Sequence, residues 1–422
     1  MRVPRILQFG AVYLKLLPGA LVKPYARYIF EFERKQHVNI GNSILSGYGT
    51  TIFEVMSRLA QEHGAINLGQ GFPDGNGPDD VVEVGVEYLR SGVNQYPSML
   101  GIPDLRRSIA QHAFRFYGLE IDWQTETMVT SGGTEALGST LLGLIEPGDE
   151  VILIEPLYDS YLPIVQRSGA VAKLVRLNPP YWTLPRIELE AAFSDKTKLV
   201  LVNTPMNPCS KVFNLGELEF IANLCKKHDA FAVCDEVYEH LVFDDEPHIP
   251  MLTLDGMRER TVRIQSAGKI FSLTGWKIGM VTAAAELLTP IIKAHQYLTF
   301  TTPPNLQAAV AYGLRKDDTY FEQLNTDMQA RRDHLSEGLR DIGFDVIPCQ
   351  GTYFMTADFR ALGFDGGDIE FCKQLTVEAG VTAVPISAFY TEAVQSHFAR
   401  FSFCKDEKTI DEAIRRLKVY FG

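Results

Sequence analysis

The chain has 422 residues, 46% hydrophobic and 22% charged, which gives apolar material enough for one large domain or two joined ones. Its formal net charge of −12 argues against a general nucleic-acid binder, because phosphate backbones need a basic surface. The six cysteines (Cys209, Cys225, Cys234, Cys349, Cys372, Cys404) show no CxxC pair or other metal-ligand spacing. They read as reduced thiols of a cytosol-like compartment, and no metal is expected.

Residues 1–30 carry five basic side chains and no acid. The run "ILQFGAVYLKLLPGALV" is apolar but is interrupted by Lys15 and Pro18, too short and broken for a membrane span. A basic, acid-free start leaves open an organelle-targeting segment or a membrane-surface helix. The simplest reading is a weakly structured extension over 1–47. A cytoplasmic protein is expected, or a mitochondrial one if the start is a transit peptide.

From about residue 50 the pattern is globular. "TIFEVMSRLAQEHG", "DVVEVGVEYLRSG" and "IPDLRRSIAQHAFRFYG" have helical apolar spacing and end on glycine. Short apolar runs of buried-strand type follow: "ETMVTS", "DEVILIEP", "AKLVRL", "TKLVLVNTP", "DAFAVCDE" and "RTVRIQSA". Helical stretches such as "TEALGSTLLGLIEPG" and "LGELEFIANLCKKHD" separate most of them, the signature of an α/β fold with a mostly parallel sheet covered on both faces. Beyond about 305, a long helical region over 305–343 leads into "FDVIPC", "TYFMTAD", a helix near 367–379, "VTAVPIS", "ARFSFC" and a closing helix. This reads as a smaller α+β domain, with a ligand crevice between the two.

Most of the chemically distinctive residues fall just after apolar strands, where open α/β sheets present their ligand loops. Ser131-Gly132-Gly133-Thr134 opens a helix, a turn that lets backbone N–H groups approach a phosphate, although such turns are more often only turns. Asp235 ends a buried strand and needs a partner there: a protonated pyridine nitrogen, or equally a helix cap or a salt bridge. Lys269 sits in a small, apolar, Gly-rich stretch where its amine could form an imine, and Lys277 could meet a phosphate. Arg400 lies between apolar residues in "HFARFSFC" and needs an anion, whether a substrate carboxylate or an internal acid.

In order, a Gly-rich turn, Asn-Pro, Asp-x-x-Tyr, Ser-x-x-Lys and a late Arg resemble the class I/II aminotransferases of pyridoxal 5′-phosphate (PLP) fold type I. The resemblance spans about 48–420. It is nearest the branch with kynurenine/glutamine transaminases, methionine aminotransferases and N-succinyldiaminopimelate aminotransferases, on "AINLGQGFPD", "NQYPSMLGIPDLR", "IEPLYDSY", "DEVYEHLVFD", "GKIFSLTGWKIG" and "GTYF". It implies an aspartate-aminotransferase-like fold with a small domain of 48–75 and 306–422, a large PLP-binding domain of 76–305, and a homodimer with shared active sites. It implies Lys269 as the Schiff-base lysine and proton shuttle, Asp235 as the pyridinium partner, and Asn207 and Tyr238 on the ring phenolate oxygen. Tyr158 would stack on the ring. Gly133, Thr134, Ser266 and Lys277 would hold the phosphate, with Tyr96 of the other subunit. Arg400 would clamp the substrate α-carboxylate, helped by Gly71 and Asn207, with Phe300 lent by the neighbour and Tyr353 in the pocket.

Three departures stand out. Lys277 replaces the Arg of more distant relatives. Ser210 replaces the usual Gly of "NPCSKV", which implies an altered turn, and Cys209 beside it is unusual. Thr301 stands where kynurenine-type members carry His, which weakens the implication of a kynurenine preference. The resemblance implies ping-pong transfer between an L-amino acid and a 2-oxo acid, with the donor left open. Alternatives are a cysteine-conjugate β-lyase and, ranked lower, a PLP-binding regulator, for which about 45 residues are too few to form the winged-helix DNA-binding domain.

Overall fold

The computed structural model describes residues 41–394 and 396–422. Of the expected extension only 41–47 fall among them, with one short turn at Leu45–Gly47. The targeting and membrane-surface readings of the chain's start lie outside the described residues. Among the described residues no helix is long and apolar enough to cross a membrane.

Tyr48–Gly422 form one unit. Its first helix, Ile52–His63, starts where the Thr51 hydroxyl accepts the Glu54 N–H and stops at left-handed Gly64. Strand β1 (Ile66–Asn67) follows. The central sheet is built from β2 (Thr127–Ser131), β3 (Glu150–Glu155), β4 (Val171–Arg176), β5 (Thr197–Asn203), β6 (Phe231–Asp235), β7 (Thr261–Ser266) and β8 (Ile278–Thr282). Their order is β2-β8-β7-β6-β5-β3-β4. All neighbours are parallel except β8, which runs antiparallel to both β2 and β7. The α/β class with a mostly parallel sheet is therefore as expected.

The sequence reading had no β8. Its short apolar run hides behind the Thr274–Trp276 turn, and the chain reverses there through Lys277, whose φ is +56°.

The later part carries β9 (Asp345–Val346), β10 (Phe354–Asp358), β11 (Val381–Thr382), β12 (Val384–Pro385) and β13 (Phe398–Ser402). Four of them form an antiparallel sheet, β12-β13-β10-β9. β11 instead pairs in parallel with β1, so residues near 66 and 381 are tied together. The helical region over 305–343 is two helices, Pro304–Leu314 and Asp318–Ile342, separated at the polar Arg315–Asp317 step. Burial of Phe344, Phe359, Phe371, Phe401 and Phe403 holds this sheet against its helices.

Candidate active site

One cavity of about 320 Å³ opens beside the carboxyl ends of β2, β5, β6 and β7. Gly71, Gly133, Thr134, Tyr158, Asn207, Asp235, Tyr238, Ser266, Lys269, Lys277 and Arg400 all line it.

At one end the helix Gly132–Leu144 begins directly after β2, so its first N–H groups have no partner within the helix. Gly132 has φ +78°, and a Cβ there would meet the Lys277 Cε at 3.2 Å and Nζ at 3.3 Å. Glycine thus lets Lys277 lie across the helix N-terminus. Bare N–H groups, a helix dipole and an ammonium form a cradle for an anion such as phosphate.

Asp235 closes β6 and is 4% exposed. No cation lies within ion-pair distance of it among the described residues, which disposes of the salt-bridge reading. The Tyr161 hydroxyl donates to its Oδ2 at 2.6 Å, and the Val237 N–H donates to Oδ1 at 3.4 Å. Burial lifts the carboxyl to about 6 against the opposing pull of those donors and of Lys269. Asn203, at the end of β5, donates to the Asp235 carbonyl at 2.8 Å and accepts the Asn207 N–H at 2.8 Å. It aligns two strand ends.

Lys269, in the one-turn helix Ala267–Ile270 after β7, is half-buried. Its Nζ donates to the Tyr353 hydroxyl at 2.5 Å and to the Gly71 carbonyl at 3.5 Å. Burial lowers its amine to about 8, partly offset by Cys404 and Asp235. A lysine so placed is a nucleophile and a base near neutral pH.

Arg400 of β13 is fully buried. It donates to the Asn207 Oδ1 and the Gly69 carbonyl, each at 2.7 Å, and its guanidinium sits 3.8 Å from the centre of the Phe354 ring. Its Nε has no partner, and no carboxylate lies within ion-pair distance among the described residues. Burial lowers it to about 10, which leaves it cationic. Asp159, which lines the same cavity, pulls on this cation without forming an ion pair, so the fork stays open to a carboxylate from outside. Gly71 is required beside it, since a Cβ there would strike Phe354 and come within 3.1 Å of Tyr353.

The family profile "Aminotransferase class I and II" matches residues 63–417. The chain belongs to the class I and II aminotransferases. It is 45% identical over 388 residues to a probable N-succinyldiaminopimelate aminotransferase of Mycobacterium tuberculosis, covering 89% of this chain and 98% of that one. It is 40% identical over 379 residues to the methionine aminotransferase of Escherichia coli, covering 90% and 98%. The solved structure of the N-succinyldiaminopimelate aminotransferase from Mycobacterium tuberculosis superposes with a TM-score of 0.88 at 45% identity, over 90% of this chain and all of that one. The protein is thus an enzyme of amino-group transfer with the aspartate-aminotransferase-like fold, and members of its family use pyridoxal phosphate.

Three expected residues stand apart from the cavity of this aminotransferase. Tyr353 is 2% exposed and turns its hydroxyl to Lys269 and Gly71. Tyr96, 83% exposed, and Phe300 meet edge to face on the surface with centroids 5.6 Å apart. Thr301 stays nearby, its hydroxyl on the Ser98 carbonyl at 3.4 Å. Ser210 keeps a left-handed turn at φ +62°, and its hydroxyl donates to the Phe354 carbonyl at 2.5 Å.

Phe53, Gln70, Tyr161, Asn203 and Phe354 also line the aminotransferase cavity and were missed in the sequence. Behind the site, Arg263 is fully buried between Glu236, at 2.6 Å, and Glu239. Tyr117, Gln265 and His248 complete the hydrogen bonding of those acids. This network fixes the segment that presents Asp235 and Tyr238. The ligand atoms of His112, Glu239 and His240 lie within 4.8 Å of one another, but Arg263 already neutralises Glu239.

Proposed function

We propose that this aminotransferase binds pyridoxal 5′-phosphate at Lys269 and works by ping-pong exchange between an L-amino acid and a 2-oxo acid. One observation carries the reading: a half-buried lysine of lowered basicity, a buried Asp235 and a buried Arg400, neither acid nor arginine in an ion pair among the described residues, share one cavity. The charges complement a phosphorylated, cationic pyridine and a substrate carboxylate. Gly133, Thr134, Ser266 and Lys277 suit the phosphate. Tyr158 suits the ring face, Asn207 and Tyr238 the ring oxygen, and Asp235 the ring nitrogen. When bound, such a cofactor supplies an electron sink for the pair left at Cα.

The chain's own residues do the rest. Arg400, with Gly71 and Asn207, holds the α-carboxylate and so orients the Cα–H bond. Lys269, its amine freed when substrate takes its place on the cofactor, would take the Cα proton and deliver a proton to the carbon on the other side of the amino nitrogen, a 1,3 shift. Asp235 keeps a proton on the ring nitrogen, and Tyr161 keeps Asp235 in place.

We read 76–305 as the cofactor-binding part, and 48–75 with 306–422 as the smaller part closing the substrate end. The exposed Tyr96 and Phe300 suit a homodimer in which each subunit lends them to its partner. The six free thiols favour a reducing compartment such as the cytoplasm. The names of the relatives suggest N-succinyldiaminopimelate or methionine as donors. A panel of these with glutamine and aromatic amino acids, against several 2-oxo acids and read by product chromatography, tests the reading. Pyruvate from one substrate without an acceptor would instead mark β-elimination.

A further inference from the structure

Lys269 and Arg400 are joined through a single tyrosine. Arg400 Nη2 donates to the Gly69 carbonyl at 2.7 Å. Two residues on, the Gly71 carbonyl accepts from the Tyr353 hydroxyl. The oxygen of that hydroxyl accepts from the Lys269 Nζ at 2.5 Å. Because Tyr353 spends its one hydrogen on Gly71, it faces the lysine purely as an acceptor. Its ring stands edge to face with Tyr238 at 5.1 Å, and the Lys269 Nζ lies 5.1 Å from the Tyr353 ring centre and 5.5 Å from that of Tyr238. Tyr353 is buried beside Gly71, with the Tyr238 side chain as its other hydrogen-bonding neighbour.

We propose that Tyr353 is a positioning residue: it receives the free Lys269 amine at the edge of the cavity and ties its position to the loop that Arg400 holds. This rests on Lys269 being the cofactor lysine, and it replaces the substrate-contact role that the sequence implied for Tyr353. An acceptor fixed on the amine favours its charged form. Tyr353 therefore opposes the burial that lowers Lys269. The other groups facing this amine are Tyr238, Cys404, Asp235, Arg400 and Lys277. They remain when Tyr353 is changed.

The test compares wild type with Tyr353→Phe and with site-specific replacement of Tyr353 by 4-fluorophenylalanine, which nearly keeps the shape of tyrosine, cannot ionise and offers the amine only a very weak acceptor. In full-length, cofactor-free protein, modification of Lys269 by an amine reagent is followed against pH by peptide mass. The midpoint should fall by roughly one pH unit in both proteins. In the loaded enzyme kcat should fall about tenfold with KM within about twofold. An unmoved Lys269 midpoint in both proteins, or a raised KM at unchanged kcat, overturns the proposal. If Tyr353→Phe does not fold, the fluorinated protein decides. Failure of the underlying reading shows separately, as wild type whose cofactor is not trapped on Lys269 by borohydride.

Discussion

The Tyr161 hydroxyl donates to Asp235 at 2.6 Å across 74 residues of sequence, and it is the shortest tie on the acid at the base of the cavity. Removing it takes a charge-assisted hydrogen bond from a carboxylate that burial already pushes up to about 6. Tyr161→Phe should weaken cofactor binding roughly ten- to a hundredfold. Equilibrium titration of cofactor into the stripped protein measures this, and its pH dependence should move toward higher pH.

Asp235 should also cost the cofactor-free protein stability. Its folded pKa is raised, so its favourable contribution is complete below the ordinary carboxyl range and is lost as pH rises through about 6. Asp235→Asn should therefore stabilise the cofactor-free protein above pH 6, by up to about 3 kcal/mol, and do little near pH 4. Denaturant melts at the two pH values check it. The same substitution should abolish most activity.

Arg400→Lys keeps the charge and loses the fork that reaches Asn207, Gly69 and a carboxylate together. KM for amino donors should rise roughly a hundredfold. Steady-state kinetics with any active donor reads it, and an unchanged KM would place the carboxylate elsewhere.

Arg263→Met leaves Glu236 and Glu239 in the interior without their arginine, with only histidines and neutral donors beside them. Stability should drop by about 3–5 kcal/mol, visible as a lower Tm in calorimetry.

Lys269, Asp235, Arg400 and the Gly132–Thr134 turn were legible because each is chemically out of place in its local pattern, a charge within or just after an apolar strand or glycines opening a helix, whereas Asn207 was legible only through the family resemblance. Tyr161 and Asn203 were not. Each is an ordinary polar residue whose partner lies on a different element, Tyr161 at the start of the helix Tyr161–Arg167 and Asn203 on β5, and only the pairing of β5 with β6 brings Asn203 to Asp235. Tyr353 and Phe354 are adjacent in "GTYF", yet Phe354 lines the cavity under Arg400 while Tyr353 turns to the lysine. Sequence alone does not say which neighbour faces which side at the start of a strand. β8 escaped for a related reason, since antiparallel insertion between β2 and β7 is a matter of topology and not of local pattern.

Borohydride reduction of the cofactor-loaded protein, followed by peptide mass mapping, tests the central claim most directly. The account predicts one reduced pyridoxyl adduct, on the peptide holding Lys269, and none in Lys269→Ala. An adduct on Lys277 or any other lysine instead, or no adduct at all in a protein that still transaminates, would contradict it.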